Sequence, residues 1–265
     1  MSAGRHGAGE RTLDIALYDE LLRLHTRAVA DPAQTRIDYA ALRGGAGAPD
    51  WKRLVEGLAA WRPDRLGSRA ETLAAWINLY NVLTIDLVVR GAPVASIRDL
   101  GSVLRPVWKR AAGRIGSDAG PGTRAVSLDE IEHGILRRLG EPRIHAAIVC
   151  GSVSCPPLRR EPYRAERLDA QLDDNLRAWL ADARKGARFE PAPDAVGGGT
   201  LRLSPIFDWF ARDFAAAGGV RAFVLPHLPE PIREAVTRGG DAVRIAFLEY
   251  DWRLNDAGPG DAGPR

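Results

Sequence analysis

At 265 residues, with 45% hydrophobic and 27% charged side chains, the chain can bury about three-quarters of its unfolded surface in one large domain or two small ones. Its 37 Lys+Arg and 34 Asp+Glu are interspersed, with no basic stripe carrying aromatic residues, so no nucleic-acid partner is expected. No run approaches about 18 uncharged apolar residues, and residues 1–11 lack the apolar centre of a secretory leader, so no membrane span is expected and the default compartment is cytoplasmic. There, the two cysteines read as thiols rather than a structural bridge.

Residues 1–11 read as a disordered tail, 12–255 as a single domain and 256–265 as a second tail. Leu13, Ala16, Leu17, Leu21, Leu24 and Ala28 recur at helical spacing and predict an amphipathic first helix ending near Asp31-Pro32. Ile37 and Tyr39 suggest a short extended piece, and residues 51–61 a second amphipathic helix. Ser68 with Glu71 is a capping-box signature, and Gly91 with Pro93 supplies a stop. The helix between them is apolar almost all round and should be buried. At roughly 100° per residue, Asn78 and Asn81 lie about 60° apart on it, a narrow polar stripe. A buried amide without a partner costs roughly 1–3 kcal/mol, so these two must either bond nearby backbone or line a site.

Residues 96–100 read as one helical turn and 103–126 as an irregular hairpin around a Gly-rich middle. Ser127 and Glu130 form a second capping box, opening a helix over 128–139. Glu132 projects from the apolar face of that helix and His133 to one side. Such a carboxylate needs a cation, donors or a proton. Either a structural ion pair or an acid orienting a catalytic imidazole would satisfy it. Residues 166–183 predict a helix, 189–203 a hairpin turning at Gly197-Gly-Gly199, and 243–250 a terminal strand. Ser204-Pro205 should open a helix bearing Ile206, Phe207, Phe210 and Phe214.

The stretch Arg143-Ile-His-Ala-Ala-Ile-Val-Cys-Gly-Ser-Val-Ser-Cys-Pro-Pro-Leu158 holds both cysteines. Residues 144–149 read as a buried central strand. Strand parity would keep His145 and Cys150 on opposite faces, whereas Cys155, past the turn, could fold back towards His145. Cys155 is therefore the candidate nucleophile. The fold class expected is α+β, a mainly helical single domain around a small, mostly antiparallel central sheet.

The motifs Ala75-Trp-Ile-Asn-Leu-Tyr-Asn81, Ser127-Leu-Asp-Glu-Ile-Glu-His133, Arg143-Ile-His145, Cys150-Gly-Ser-Val-Ser-Cys-Pro-Pro-Leu158, Leu203-Ser-Pro-Ile-Phe-Asp-Trp-Phe210 and Tyr250-Asp-Trp-Arg-Leu-Asn255 occur in this order. Together they closely resemble the Domain of Unknown Function 547 family, from about the first helix to Asn255. Residues 111–125 depart from the family pattern by being longer and richer in glycine. The resemblance implies an α+β domain and supplies no reaction.

Three chemistries fit these residues. In the first, a thiol hydrolase or acyl transferase, Cys155 is nucleophile and His145 base, with His133 as the alternative base. Glu132 orients the imidazole, and Asn78 or Asn81 donates to an oxyanion. Its substrate would be a small molecule or peptide, with no cofactor. Lowering a thiol pKa from about 8.5 to about 6 takes roughly 3.4 kcal/mol, which an imidazolium beside Cys155 would have to supply. In the second, a non-catalytic binding or scaffold domain, the same polar groups form a satisfied buried network. In the third, His145, Cys150 and Cys155 hold a metal with Glu132 or His133, or the two cysteines form a labile disulfide. No phosphate-binding glycine loop is expected, and oligomeric state is not readable.

Overall fold

The computed structural model describes residues 13–63, 66–117, 120–193 and 198–258. The predicted tail over 1–11, residues 259–265 of the tail predicted over 256–265, and Gly197 of the predicted turn lie outside them. Helix α1 (Ile15–His25) starts at Asp14, whose carboxylate accepts the Leu17 N–H at 2.9 Å. It buries Leu17, Tyr18, Leu21 and Leu22. The predicted stripe overran it: Leu24 is exposed, and residues 26–28 form strand β1 (Thr26–Ala28), antiparallel to β2 (Thr35–Ile37). Short helices α2 (Tyr39–Gly44) and α3 (Ala48–Gly57) follow.

Helix α4 (Arg69–Gly91) is the centre of the fold. Ser68 caps it by accepting the Glu71 N–H at 3.1 Å. It is long and apolar enough to cross a membrane by length and composition, and 83% of its most apolar window is buried inside this protein. Its single buried acid, Asp86, is held by the indole N–H of Trp51 at 3.1 Å and by Arg90 at 2.6 Å. Strands β3 (Ala111–Gly116) and β4 (Thr123–Ser127) make the predicted antiparallel hairpin. A Cβ on Gly113 would collide with Leu83 of α4, so glycine there permits a close approach of hairpin and helix.

Ser127 accepts the Glu130 N–H at 3.1 Å, as a cap should, while the Glu130 carboxylate turns away to Arg124 at 2.6 Å. The helix it opens widens into a π-helix over Glu130–Leu136 and tightens into a 3-10 turn over Arg137–Leu139. Wide turns of this kind cluster at functional sites. Helix α5 (Leu168–Leu180) is followed by β5 (Ala187–Pro191) and β6 (Gly199–Leu203), an antiparallel pair. Then come α6 (Ile206–Trp209), a 3-10 stretch over Ala211–Ala217, α7 (Val220–Val224) and α8 (Glu230–Gly239). Strand β7 (Val243–Phe247) joins β6 in parallel. The fold is α+β and mainly helical, with three small sheets among the described residues rather than one.

The central strand predicted at 144–149 is not a strand. Pro142–Ala146 form a 3-10 helix, and among the described residues no strand pairs with residues 147–149. Glu141 starts that turn by accepting the Arg143 N–H, and Arg143 ties it to α5 through Asp169 at 2.7 Å and Asp173 at 2.8 Å. A buried backbone group needs a partner, and here side chains provide it. The Asn81 amide donates to the Ala147 carbonyl at 3.0 Å and its oxygen accepts the Val149 N–H at 2.9 Å. Asn175 of α5 donates to the carbonyls of Ala146 and Pro157. Two amides thus take the place of a neighbouring strand, and the segment runs between two hydrophobic clusters, with Ile144 in one and Ala146 in the other.

Residues 251–255 lie along the cysteine loop. Val153 N–H donates to the Arg253 carbonyl at 2.8 Å, and Asn255 N–H to that of Gly151 at 2.9 Å. Ser152 bridges Leu254, and Asp256 bridges Ile37, so the tail predicted from 256 begins with bonded residues. Gly151 takes φ of +75°, a left-handed conformation that glycine adopts without strain, and this turns the chain between the two cysteines.

Candidate active site

Cys155, His145 and Glu132 line one cleft of about 200 Å³, together with Tyr80, Cys150 and a wall of aromatic rings. Cys155 is only 3% exposed. Its sulfur accepts the Cys150 backbone N–H at 2.9 Å and the Tyr250 hydroxyl at 3.3 Å. Tyr250 in turn accepts from Ser152 at 3.0 Å, and its oxygen lies 3.3 Å from the Cys150 sulfur. Burial pushes the Cys155 thiol up, but the Cys150 thiol, the hydroxyls of Tyr250 and Ser152 and the Cys150 N–H all stabilise the anion and bring it down to about 6. Burial and the neighbouring Cys155 charge push Cys150 the other way, well above the usual thiol range. The pair therefore holds one thiolate, on Cys155, and one proton, on Cys150.

This corrects the expected source of activation. No hydrogen bond joins Cys155 to His145 among the described residues. Hydrogen-bond donors on the loop and on the chain's end do what an imidazolium was expected to do. Beneath the loop, Lys185 is buried and its ammonium donates to the carbonyls of Cys155 at 2.6 Å and Ala33 at 3.0 Å. Burial pushes its pKa down to about 8, while the Cys155 charge works to raise it.

His145 is oriented by Asp213, not by Glu132. Its Nε2 lies 2.8 Å from Asp213 Oδ2, and Arg137 grips both carboxylate oxygens at 2.6 and 2.7 Å. The two interactions with His145 and Arg137 hold the Asp213 carboxyl far below its usual range. Because a carboxylate only accepts, the imidazole proton sits on Nε2 and Nδ1 is the basic nitrogen. Burial lowers the His145 pKa against the pull of Asp213, so the ring is neutral at pH 7. Phe210 stacks on it at 4.2 Å and fixes its plane. His133 is exposed and engaged with Arg137 at 2.8 Å, so it lies on the outer wall of the cleft rather than beside the sulfur.

Glu132 accepts from the Tyr80 hydroxyl at 3.2 Å. Burial raises its pKa to about 7, against the opposing effects of Tyr80 and Arg137. A carboxyl raised in the folded state favours folding fully below its unfolded pKa, and that contribution is lost as pH rises through the folded value. From 4.5 unfolded to about 7 folded, the contribution is about 3 kcal/mol. Wild-type stability should therefore fall by about that much between pH 4.5 and 7 relative to Glu132→Gln. Urea denaturation of both proteins across this range measures it, and parallel curves would rule out a buried acid here.

Asn78 and Asn81, expected as oxyanion donors, are not among the residues lining the cleft and serve backbone instead. Asn78 donates to the Tyr163 carbonyl at 2.8 Å and accepts the Tyr163 N–H at 2.9 Å, as Asn81 does for residues 147 and 149. Each amide bonds backbone through one N–H and through its oxygen. Nor do the sulfurs and His145 make a metal centre: among the described residues no three His, Cys, Asp or Glu side chains could hold an ion. Residues that the sequence reading did not single out are Asp213, Tyr250, Ser152 and Lys185. Asp213 carried a readable signal, since it lies three residues after Phe210 and one before Phe214, on the apolar side of its turn. Tyr250 opens a quoted motif but had no visible partner.

The family described as "Protein of unknown function, DUF547" matches residues 63–180. No curated protein and no solved structure matches the chain. The matched span includes Tyr80, Glu132, His145 and both cysteines, while Asp213 and Tyr250 lie beyond it.

Proposed function

We propose, from the chemistry of the cleft, that the protein is a cysteine-dependent acyl hydrolase or acyl transferase; the family description matched over residues 63–180 carries no reaction. The observation that carries this reading is the separation of proton affinities within one cleft. Cys155 is held as thiolate, Glu132 as an acid and His145 as a neutral base. Groups pushed apart in this way mark acid and base roles.

The Cys155 thiolate attacks the carbonyl carbon of an acyl substrate. The oxygen gains the negative charge, and the Tyr250 O–H, released as the sulfur bonds to that carbon, donates to it. The bond to the leaving group breaks, and that group takes the Glu132 proton. In the second half, His145 Nδ1 removes a proton from water or an acceptor nucleophile, which attacks the thioester and expels the thiolate. The imidazolium proton then returns to Glu132 through solvent. Catalytic hydrogen bonds are often long or poorly aligned in unliganded sites and tighten when substrate binds. The aromatic wall, with Trp209 half exposed at its rim, suits an apolar acyl group.

Two pH profiles test the proposal. Iodoacetamide should alkylate Cys155 with a midpoint near 6, far below the ordinary thiol value of about 8.5. Turnover of p-nitrophenyl butyrate needs the thiolate and the Glu132 proton together, so its rate should be bell-shaped with a maximum between about 6 and 7. Ordinary thiol titration at both cysteines would overturn the assignment of Cys155 as nucleophile.

A further inference from the structure

The two cysteines share partners that acyl chemistry does not require. The Cys155 sulfur accepts the backbone N–H of Cys150 itself at 2.9 Å. One hydroxyl, that of Tyr250, lies 3.3 Å from each sulfur. Gly151 turns the chain so that Cys150 N–H meets the Cys155 sulfur, and both cysteines are free thiols. Both sulfurs line the aromatic cleft beside Glu132. A thiolate with a protonated thiol as neighbour, under an apolar opening, is arranged for a two-electron oxidation that ends in a bond between the pair.

We propose that Cys155 and Cys150 reduce organic hydroperoxides, Cys155 taking the oxygen and Cys150 resolving the product. The Cys155 thiolate attacks the terminal oxygen of ROOH and the O–O bond breaks. The departing alkoxide takes the Glu132 proton and leaves as ROH, while Cys155 becomes a sulfenic acid. The Cys150 sulfur then attacks Cys155, the S–OH bond breaks, and hydroxide leaves with the Cys150 proton as water. Two thiols are oxidised to one disulfide and one hydroperoxide is reduced to an alcohol. The rings of Tyr80, Trp108, Trp209, Phe210 and Trp252 would cover the R group. Burying one phenyl ring is worth at least about a tenfold rate preference over hydrogen peroxide. This activity shares Cys155 with the acyl reading but needs neither His145 nor a carbonyl substrate, so each can fail without the other.

The test uses the full chain and cumene hydroperoxide, with hydrogen peroxide as comparison. One equivalent of cumene hydroperoxide should remove both thiols of the wild type, release one cumyl alcohol and be reversed by dithiothreitol. Cys150→Ala should stop at a sulfenic acid trapped by dimedone, and Cys155→Ala should react as slowly as free glutathione. Cumene hydroperoxide should outpace hydrogen peroxide by about tenfold or more. A wild type that keeps one thiol and ends as a sulfinic acid would overturn the resolving role of Cys150. Equal rates for wild type and Cys155→Ala would overturn the proposal entirely. The wild-type thiol count decides between these outcomes even if a variant folds poorly.

Discussion

Cys155→Ala should abolish the acyl-enzyme that forms when the protein meets p-nitrophenyl butyrate. In the wild type, a burst of one p-nitrophenolate per chain and a butyryl adduct on the Cys155 peptide are expected. Alanine removes the only sulfur that combines a lowered pKa with converging donors, and Cys150, pushed up by burial, cannot replace it at neutral pH. His145→Ala should leave acylation and slow deacylation by about 10²–10⁴-fold, the usual worth of a positioned base. Asp213→Asn should act in the same direction, because an amide can donate to Nε2 and place the proton on Nδ1. Burst kinetics and intact mass separate the two steps. A full burst in Cys155→Ala, or none in the wild type, would send the cleft's polar groups back to a structural role.

Asn81→Leu should lower thermal stability more than any surface change. Its amide serves two buried backbone groups, the Ala147 carbonyl and the Val149 N–H. Leucine is similar in volume but leaves both without partners, at roughly 1–3 kcal/mol each. A loss of about 4 kcal/mol is a large share of a typical stability of about 5–15 kcal/mol. At about 2–4 °C per kcal/mol for a chain of this size class, the melting temperature should fall by roughly 10 °C or more. Calorimetry measures it directly. An oxyanion donor would behave in the opposite way, with the melting temperature unchanged and turnover reduced.

These two residues mark where the sequence reading succeeded and where it stopped. The caps at Ser68 and Ser127, the buried α4 helix and the hairpin of β3 and β4 are local. Each depends on residues a few positions apart, and each is present. The strand predicted at 144–149 failed because β-branched residues fit any buried extended surface. What set its conformation was Pro142 behind it and amides contributed by α4 and α5. The polar stripe on α4 was visible, and so was the need to satisfy it. Which of the two satisfying arrangements applied was not visible.

By itself, the amino-acid order determined the mainly helical α+β class, the central apolar helix and the family resemblance. It also picked out the three titratable groups, Cys155, His145 and Glu132, that line the cleft. It could do so because periodicity, capping and motif spacing are properties of neighbours along a chain. Tertiary structure alone decided which carboxylate meets which ring. Asp213, 68 positions from His145, took the place expected for Glu132. Tyr250, 95 positions from Cys155, supplied the donor expected from an imidazolium. Proton affinities in a buried site depend on solvation and on charges a few ångströms away, and those distances exist only once the chain has closed on itself.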